Sequence, residues 1–180
     1  AVLGYTRIIE LLLKKGADIH LQEPLSKMTA FMLAAEKGEW AAVQMLASWG
    51  AKIDARDKLT RTALMLSSER GHVTTVYALI DASADVNAQS NYDRTSLMLA
   101  SEQGHAYVIE ALITHGARVN KTDRGGKTPL MLASINGHTS AVESLLLHKA
   151  NPLAQDKFGS TALMLATMKG HIETLKFLLE

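Results

Sequence analysis

The sequence predicts an all-α solenoid, an elongated stack of helix-turn-helix units, and three observations predict it. Met32, Met65, Met98, Met131 and Met164 stand 33 residues apart, each inside one phrase: TAFMLA, TALMLS, TSLMLA, TPLMLA and TALMLA. A threonine opens every phrase, and a glycine follows nine residues later. Beyond the glycine comes an apolar stripe spaced i, i+3, i+4, as in Val76/Leu79/Ile80 and Ile109/Leu112/Ile113, which only a helix gathers on one face. A unit this small cannot bury its own apolar face and has to stack on its neighbours, leaving one extended surface.

The elements follow in order within each unit. Thr29, Thr62, Thr95, Thr128 and Thr161 stand immediately before apolar runs, where a hydroxyl accepts a backbone N–H that the first helical turn leaves unpaired. Pro129 fits the first helical position. Gly38, Gly71, Gly104, Gly137 and Gly170 end a short first helix and open a tight turn. Inside that helix Ala34, Ser67, Ala100, Ala133 and Ala166 stay small, so the next unit's helix can approach to roughly 8–10 Å.

The second helix carries the stripe, repeated as Val142/Leu145/Leu146 and Leu175/Leu178/Leu179. Gly16, Gly50 and Gly116 mark its end, while Ser83 and Lys149 hold the equivalent places. A left-handed residue closes a helix there, so those two caps are expected to be weaker by on the order of 1 kcal/mol. Between units, Asp85-Val86-Asn87 and Arg118-Val119-Asn120 lead into Asp-x-x-Gly, as in Asp123 to Gly126 and Asp156 to Gly159. That reads as an extended stretch entering a turn.

The result is one domain over 1–180: a partial unit at 1–20, full units at 21–54, 55–87, 88–120 and 121–153, and a truncated unit at 154–180. Residues 1–20 match only the back half of a unit, and the last second helix has no successor, so an excised piece of a longer array is expected.

The totals narrow the function. Apolar residues make up 47% of 180, enough for a sizeable core, and the formal net charge is +1, which argues against bulk attraction to nucleic acid or membrane. With no cysteine, a disulfide framework, a thiolate metal site and cysteine catalysis are excluded. No apolar run approaches the ~20 residues that cross a bilayer, and no signal-peptide order opens the chain. A cytoplasmic protein without direct membrane contact is expected. The sequon Asn120-Lys121-Thr122 is read as a chance match.

The phrases DRGGKTPLMLASINGH (123–138) and DKFGSTALMLATMKGH (156–171), with GADIH, GAKID, SADVN and GARVN as closings, resemble the ankyrin repeat over essentially the whole chain. The resemblance implies helix-turn-helix units with short β-turn fingers. One departure is consistent: the histidine of the family's T-P-L-H phrase is methionine in every copy. Family members use that histidine in a hydrogen-bond network bracing the turns, so packing is expected to replace it here.

Several motifs lose their chemistry on inspection. His72, His105, His138 and His171 recur with the period. Ligands of one zinc must come within about 2.1 Å of it, whereas equivalent residues of stacked units stay roughly 8–10 Å apart, so the histidines are structural. The methionines read as core filler rather than a copper or haem site. Gly125-Gly126-Lys127-Thr128 imitates the end of a phosphate-binding loop, but Lys121 stands where its upstream glycine is required. No nucleophile, metal-protease or acylation phrase is present, so no catalytic residue, metal or cofactor is expected.

What remains is the variable face. In ankyrin arrays the turn tips and the exposed side of the first helix line a concave groove that holds partners, and the resemblance places there Lys58, Leu59, Arg61, Arg70, Asn91, Tyr92, Arg94, Gln103, Arg124, Lys127, Asn136, Lys157, Phe158 and Lys169. Leu59, Tyr92 and Phe158 occupy equivalent tips, as apolar anchors would. The basic residues among them form a strip tempered by Glu36, Glu69 and Glu102, favouring an acidic peptide partner.

The leading expectation is a non-catalytic, monomeric protein-interaction module. Its alternatives are a nucleotide or RNA receptor, with the strip on phosphates and Tyr92 or Phe158 stacking on bases, and an elastic spacer of a larger signalling or channel protein. The first full unit is irregular: Leu21 to Met28 is one residue longer than its counterparts and lacks Asp-x-x-Gly. Trp40 and Trp49 flank that unit's second helix, marking either a local contact or a cover for the outer side of the stack. Leu79, Asp85, Val86 and Asn87 resemble the context that asparaginyl hydroxylases recognise.

Overall fold

The computed structural model describes residues 2–179, with side chains from Thr6 onward. Helix α1 (Val2–Lys14) is followed by α2 (Ala30–Glu36) and α3 (Trp40–Ser48), α4 (Ala63–Glu69) and α5 (Val73–Asp81), and α6 (Ser96–Gln103) and α7 (Ala106–Thr114). Two further pairs complete the order: α8 (Pro129–Ile135) with α9 (Thr139–Leu147), and α10 (Ala162–Lys169) with α11 (Ile172–Leu179). The five short first helices stack as one layer, α2 on α4 on α6 on α8 on α10, and α1 joins the second helices in the other layer. A continuous core runs between the layers from Met28 to Leu165.

Local chemistry sets each unit as expected. All five threonines adopt extended backbone, and each side chain accepts from the N–H of the methionine three residues on. Pro129 opens α8 without a lost hydrogen bond. Met32, Met65, Met98 and Met131 are buried, whereas Met164 is exposed. Four of the five methionines are therefore packed into the core. In the fourth, the Met131 thioether also accepts from Thr128 N–H at 3.5 Å.

The histidines join successive units. Nε2 of His72, His105, His138 and His171 lies 3.0–3.1 Å from the carbonyls of Glu36, Glu69, Glu102 and Ile135. A carbonyl only accepts, so Nε2 carries the proton and donates. Each ring rests against the turn glycine of the preceding unit: a Cβ added at Gly104 would meet the His138 ring at 2.6 Å. Both ring and glycine are needed for this close seat.

No strand forms among the described residues; the fingers are turns tied to one another. Lys58, Asn91, Arg124 and Lys157 each donate a backbone N–H to the previous finger, onto Ser26, Leu59, Tyr92 and Gly125 carbonyls at 2.8–3.4 Å. Within a finger, Asp57, Asp123 and Asp156 each accept two backbone N–H groups through Oδ1. The residue closing the turn is left-handed at Lys27, Thr60 and Asp93 as well as at Gly126 and Gly159. For β-branched Thr60 that conformation is strained.

The longer first finger finds its own substitute. Glu23 accepts from Leu25 N–H and Ser26 N–H at 3.0 and 2.6 Å, and Glu23 N–H closes on Met28 O at 2.9 Å. One extra methylene spans one extra residue. Hydrogen bonds from the Ser26 side chain, then from Ser26 and Leu25 backbone, hold this carboxyl below its ordinary range.

At the base of the fingers, Asn87 accepts from Arg118 N–H and donates to Gly116 O, both at 2.9 Å. Asn120 repeats this with Asn151 N–H and Lys149 O. Asp54 holds the same register and accepts from Asp85 N–H.

Candidate functional site

The ladder of finger hydrogen bonds turns the tips into one row beside the first helices. Between them runs a groove of about 390 Å³, lined by residues of three successive units from Leu59 to Gly125. Leu59, Arg61, Tyr92, Arg94 and Arg124 meet there, with Glu69, Ser90, Leu99, Glu102 and Asp123 completing the lining. Leu99 belongs to a small buried cluster with Met65 and Ala88, so the floor is apolar and fixed.

The tips stand free. Leu59 is 45% exposed, Tyr92 60% and Phe158 88%. The Arg124 guanidinium lies 5.9 Å from the Tyr92 ring centroid and pairs with Asp93 at 3.6 Å. That cation–π contact steadies the ring without covering it.

The charges are disposed differently from a continuous basic strip. Arg61 binds Asp57 at 2.8 Å and Glu69 at 3.3 Å. Arg94 binds Glu102 through two hydrogen bonds, 2.8 and 3.0 Å, and approaches Asp123 at 3.5 Å. Arg70 reaches back to Glu36 at 3.1 Å. These guanidiniums are engaged, so their charge is locally offset. Lys58, Lys127, Lys157 and Lys169 enter no ion pair among the described residues.

The remaining expected positions serve mixed roles. Asn91 Oδ1 accepts from the Thr60 hydroxyl at 3.0 Å, and Asn136 Nδ2 donates to Glu102 O and Leu132 O, so both amides are partly committed to structure. Gln103 is exposed. Arg70, Gln103, Asn136 and Lys169 lie outside the groove lining, as do Lys58, Asn91, Lys127, Lys157 and Phe158. Sequence reasoning missed Ser90 and Leu99 as lining and missed Asp57, Asp93 and Asp123 as arginine partners. The spacing of Asp57 and Arg61 within one turn was the available signal; Asp123 lies one unit away from Arg94 and left none.

Trp40 and Trp49 are each 43% exposed at the two ends of α3, and no pocket described lies against both. Asn87, in the hydroxylase-like context, has both amide atoms bonded within the stack.

This geometry is that of a repeat array presenting a finger-lined groove. A family model described as ankyrin repeats in three copies matches residues 1–90, 31–123, 74–156 and 97–180. The chain belongs to the ankyrin-repeat family. It is similar to ankyrin repeat domain-containing protein 17 of Homo sapiens and of Mus musculus, 40% identical over 60 residues in each case. Ankyrin repeat and KH domain-containing protein 1 of Homo sapiens matches at 40% over 60 residues. Each match covers 33% of this chain and 2% of the relative's length.

Ankyrin repeats are generally protein–protein interaction modules and typically non-catalytic. No described helix is long and apolar enough to cross a membrane.

Proposed function

We propose that this array is a protein-interaction module that holds an extended segment or a folded partner across its concave face, anchored by the finger tips Leu59, Tyr92 and Phe158, of which the first two line the central groove. The observation that carries the reading is the exposure of those three side chains at equivalent finger tips. Large apolar side chains cost solubility when left in water, and three in one register form a contact surface. The lysines at positions 58, 127, 157 and 169 remain free to steer an acidic partner toward the groove. The internal pairing of Arg61 and Arg94 favours protein over phosphate, because it leaves fewer cations for a polyanion. The lack of cysteine suits a cytosolic setting, and the module is taken to act as a monomer.

Replacing Leu59, Tyr92 and Phe158 with alanine together tests the reading. Truncating anchors commonly costs about 1–2 kcal/mol each, so the triple variant is expected to lose on the order of a hundredfold or more in affinity for partners captured by the native chain. Unchanged affinity would remove the anchors. A binding constant that falls steeply and log-linearly with salt would instead point to phosphate contacts.

A further inference from the structure

The aromatic finger tips are unequally held. Phe158 stands free, with no ring or cation contact among the described residues, whereas the Arg124 guanidinium lies 5.9 Å from the Tyr92 ring centroid. We infer that Arg124 is a positioning residue: it fixes the Tyr92 ring in one orientation, so that this anchor is set before a partner arrives. This rests on the interaction reading above and gives one of its anchors a support.

The finger ladder brings the two residues together. Lys58, Asn91, Arg124 and Lys157 hold equivalent places, each donating its backbone N–H to a carbonyl of the previous finger. For Arg124 that carbonyl belongs to Tyr92, at 3.2 Å, so the side chain starts beside the ring it covers. The neighbouring junctions do not repeat this. Asn91 turns its amide to the Thr60 hydroxyl at 3.0 Å, and Lys157 bonds to Gly125, which has no side chain to hold.

Arg124 also differs from the other two arginines of the groove. Arg61 hydrogen-bonds Asp57 and Glu69, and Arg94 makes two hydrogen bonds to Glu102. Their side chains are 26% and 22% exposed, against 64% for Arg124. The ion pair of Arg124 is with Asp93 at 3.6 Å, beyond hydrogen-bond length. Asp93 adjoins Tyr92 in the chain and closes the same finger with left-handed backbone, φ +57°, its N–H donating to Ser90 O at 2.9 Å. Backbone, ring and carboxylate of one finger therefore all draw Arg124 to the same place.

An exposed ion pair adds little to stability, and an exposed cation–π contact is comparably small. The consequence falls on orientation. A rotating side chain loses its freedom when it is buried at an interface, and a ring already held loses less.

The test uses the intact 180-residue chain with labelled tyrosine, in the native form and as Arg124→Ala and Arg124→Lys. Three-bond couplings read the χ1 populations of Tyr92, and circular dichroism confirms that each variant is folded. One dominant rotamer is expected in the native chain, a mixture in Arg124→Ala, and an intermediate state in Arg124→Lys, which keeps the charge without the planar group. A mixture already present in the native chain overturns the proposal, as does an unchanged rotamer in Arg124→Ala.

A double-mutant cycle supplies the second readout, with a fluorescent peptide selected on the native chain from a random library and followed by anisotropy. Arg124→Ala is expected to weaken its binding about two- to fivefold and to cost nothing further once Tyr92→Ala is present. Equal losses in both backgrounds would mean that Arg124 touches the peptide itself, and the positioning role falls. If Leu59→Ala, Tyr92→Ala and Phe158→Ala all leave affinity unchanged, the interaction reading falls, while the rotamer measurement still decides what Arg124 does to the ring.

Discussion

Met98 and Met164 occupy the same position of the repeat, follow the same capping threonine and sit in helices of the same length, yet the first is 0% exposed and the second 57%. The difference comes from neighbours. Helix α6 is held between α4 and α8, whereas α10 rests on α8 alone among the other first helices. Identical local sequence thus yields unequal burial, and the stability of the stack resides in the faces between units rather than inside them. Alanine at the two positions should expose that inequality. Met98→Ala is expected to cost about 2–5 kcal/mol through lost burial and a cavity, and Met164→Ala less than about 0.5 kcal/mol. Urea unfolding of both variants measures this, and equal losses would mean that α10 is covered as well as α6.

A second pair sharpens the comparison with less energy. Gly104 and Gly170 both end a first helix with left-handed backbone, φ +77° and +75°. A side chain at either carries the same conformational cost, on the order of 1 kcal/mol. Only at Gly104 does a Cβ strike a neighbour, the His138 ring at 2.6 Å, while the space beside Gly170 is open. Gly104→Ala should therefore destabilise by about 1–3 kcal/mol more than Gly170→Ala, the cost of crowding a packed contact. Thermal melts of the two variants decide it. A difference near zero would show that the histidine swings aside without loss.

These pairs also mark what the sequence could reveal. Capping by Thr62 or Thr95, the turn at Gly71 and the left-handed ends at Ser83 and Lys149 all depend on residues close in the chain, and all were legible from spacing. The tips were legible too, because a finger too small to bury a ring leaves Tyr92 outside. The pairing of Arg94 was not legible: its partners lie eight residues on, at Glu102, and in the next unit, at Asp123. Only the stack brings them together, and a strip of positive letters became a set of ion pairs. The role of Glu23 was hidden for a different reason. An inserted residue shifts the register, and a longer carboxylate makes up the distance where an aspartate pattern was sought.

Ser83 tests the smaller terms inside the array. It closes α5 at φ +67°, where Gly116 closes α7 at +89°. Ser83→Gly relieves the steric cost of a Cβ in the left-handed region while giving the unfolded chain more freedom, a partial offset. The expected gain is at most about 1 kcal/mol, read as a raised melting temperature. No change would mean that the added freedom of the unfolded chain offsets the relieved strain in full.

Asp54 offers the finest comparison, because its counterparts Asn87 and Asn120 each do two things, of which a carboxylate can do only one. Both amides accept a backbone N–H from the next unit and donate to a carbonyl 29 residues on, at Gly116 and Lys149. In the same register Asp54 accepts from Asp85 N–H through both oxygens, at 3.2 and 3.4 Å, and the carbonyl 29 residues on belongs to Ser83. An ionised carboxylate has no proton to give it. Asp54→Asn supplies the missing donor and removes a charge beside Asp85. One ordinary hydrogen bond adds about 0.5–1.5 kcal/mol, and partial exposure of the site places the expected gain at the lower end. Hydrogen exchange at the Asp85 amide reads the junction directly. Slower exchange in the variant, with the Arg118 amide unaffected, would localise the gain to this interface; equal exchange at Asp85 would show that water already serves the Ser83 carbonyl as well as an amide does.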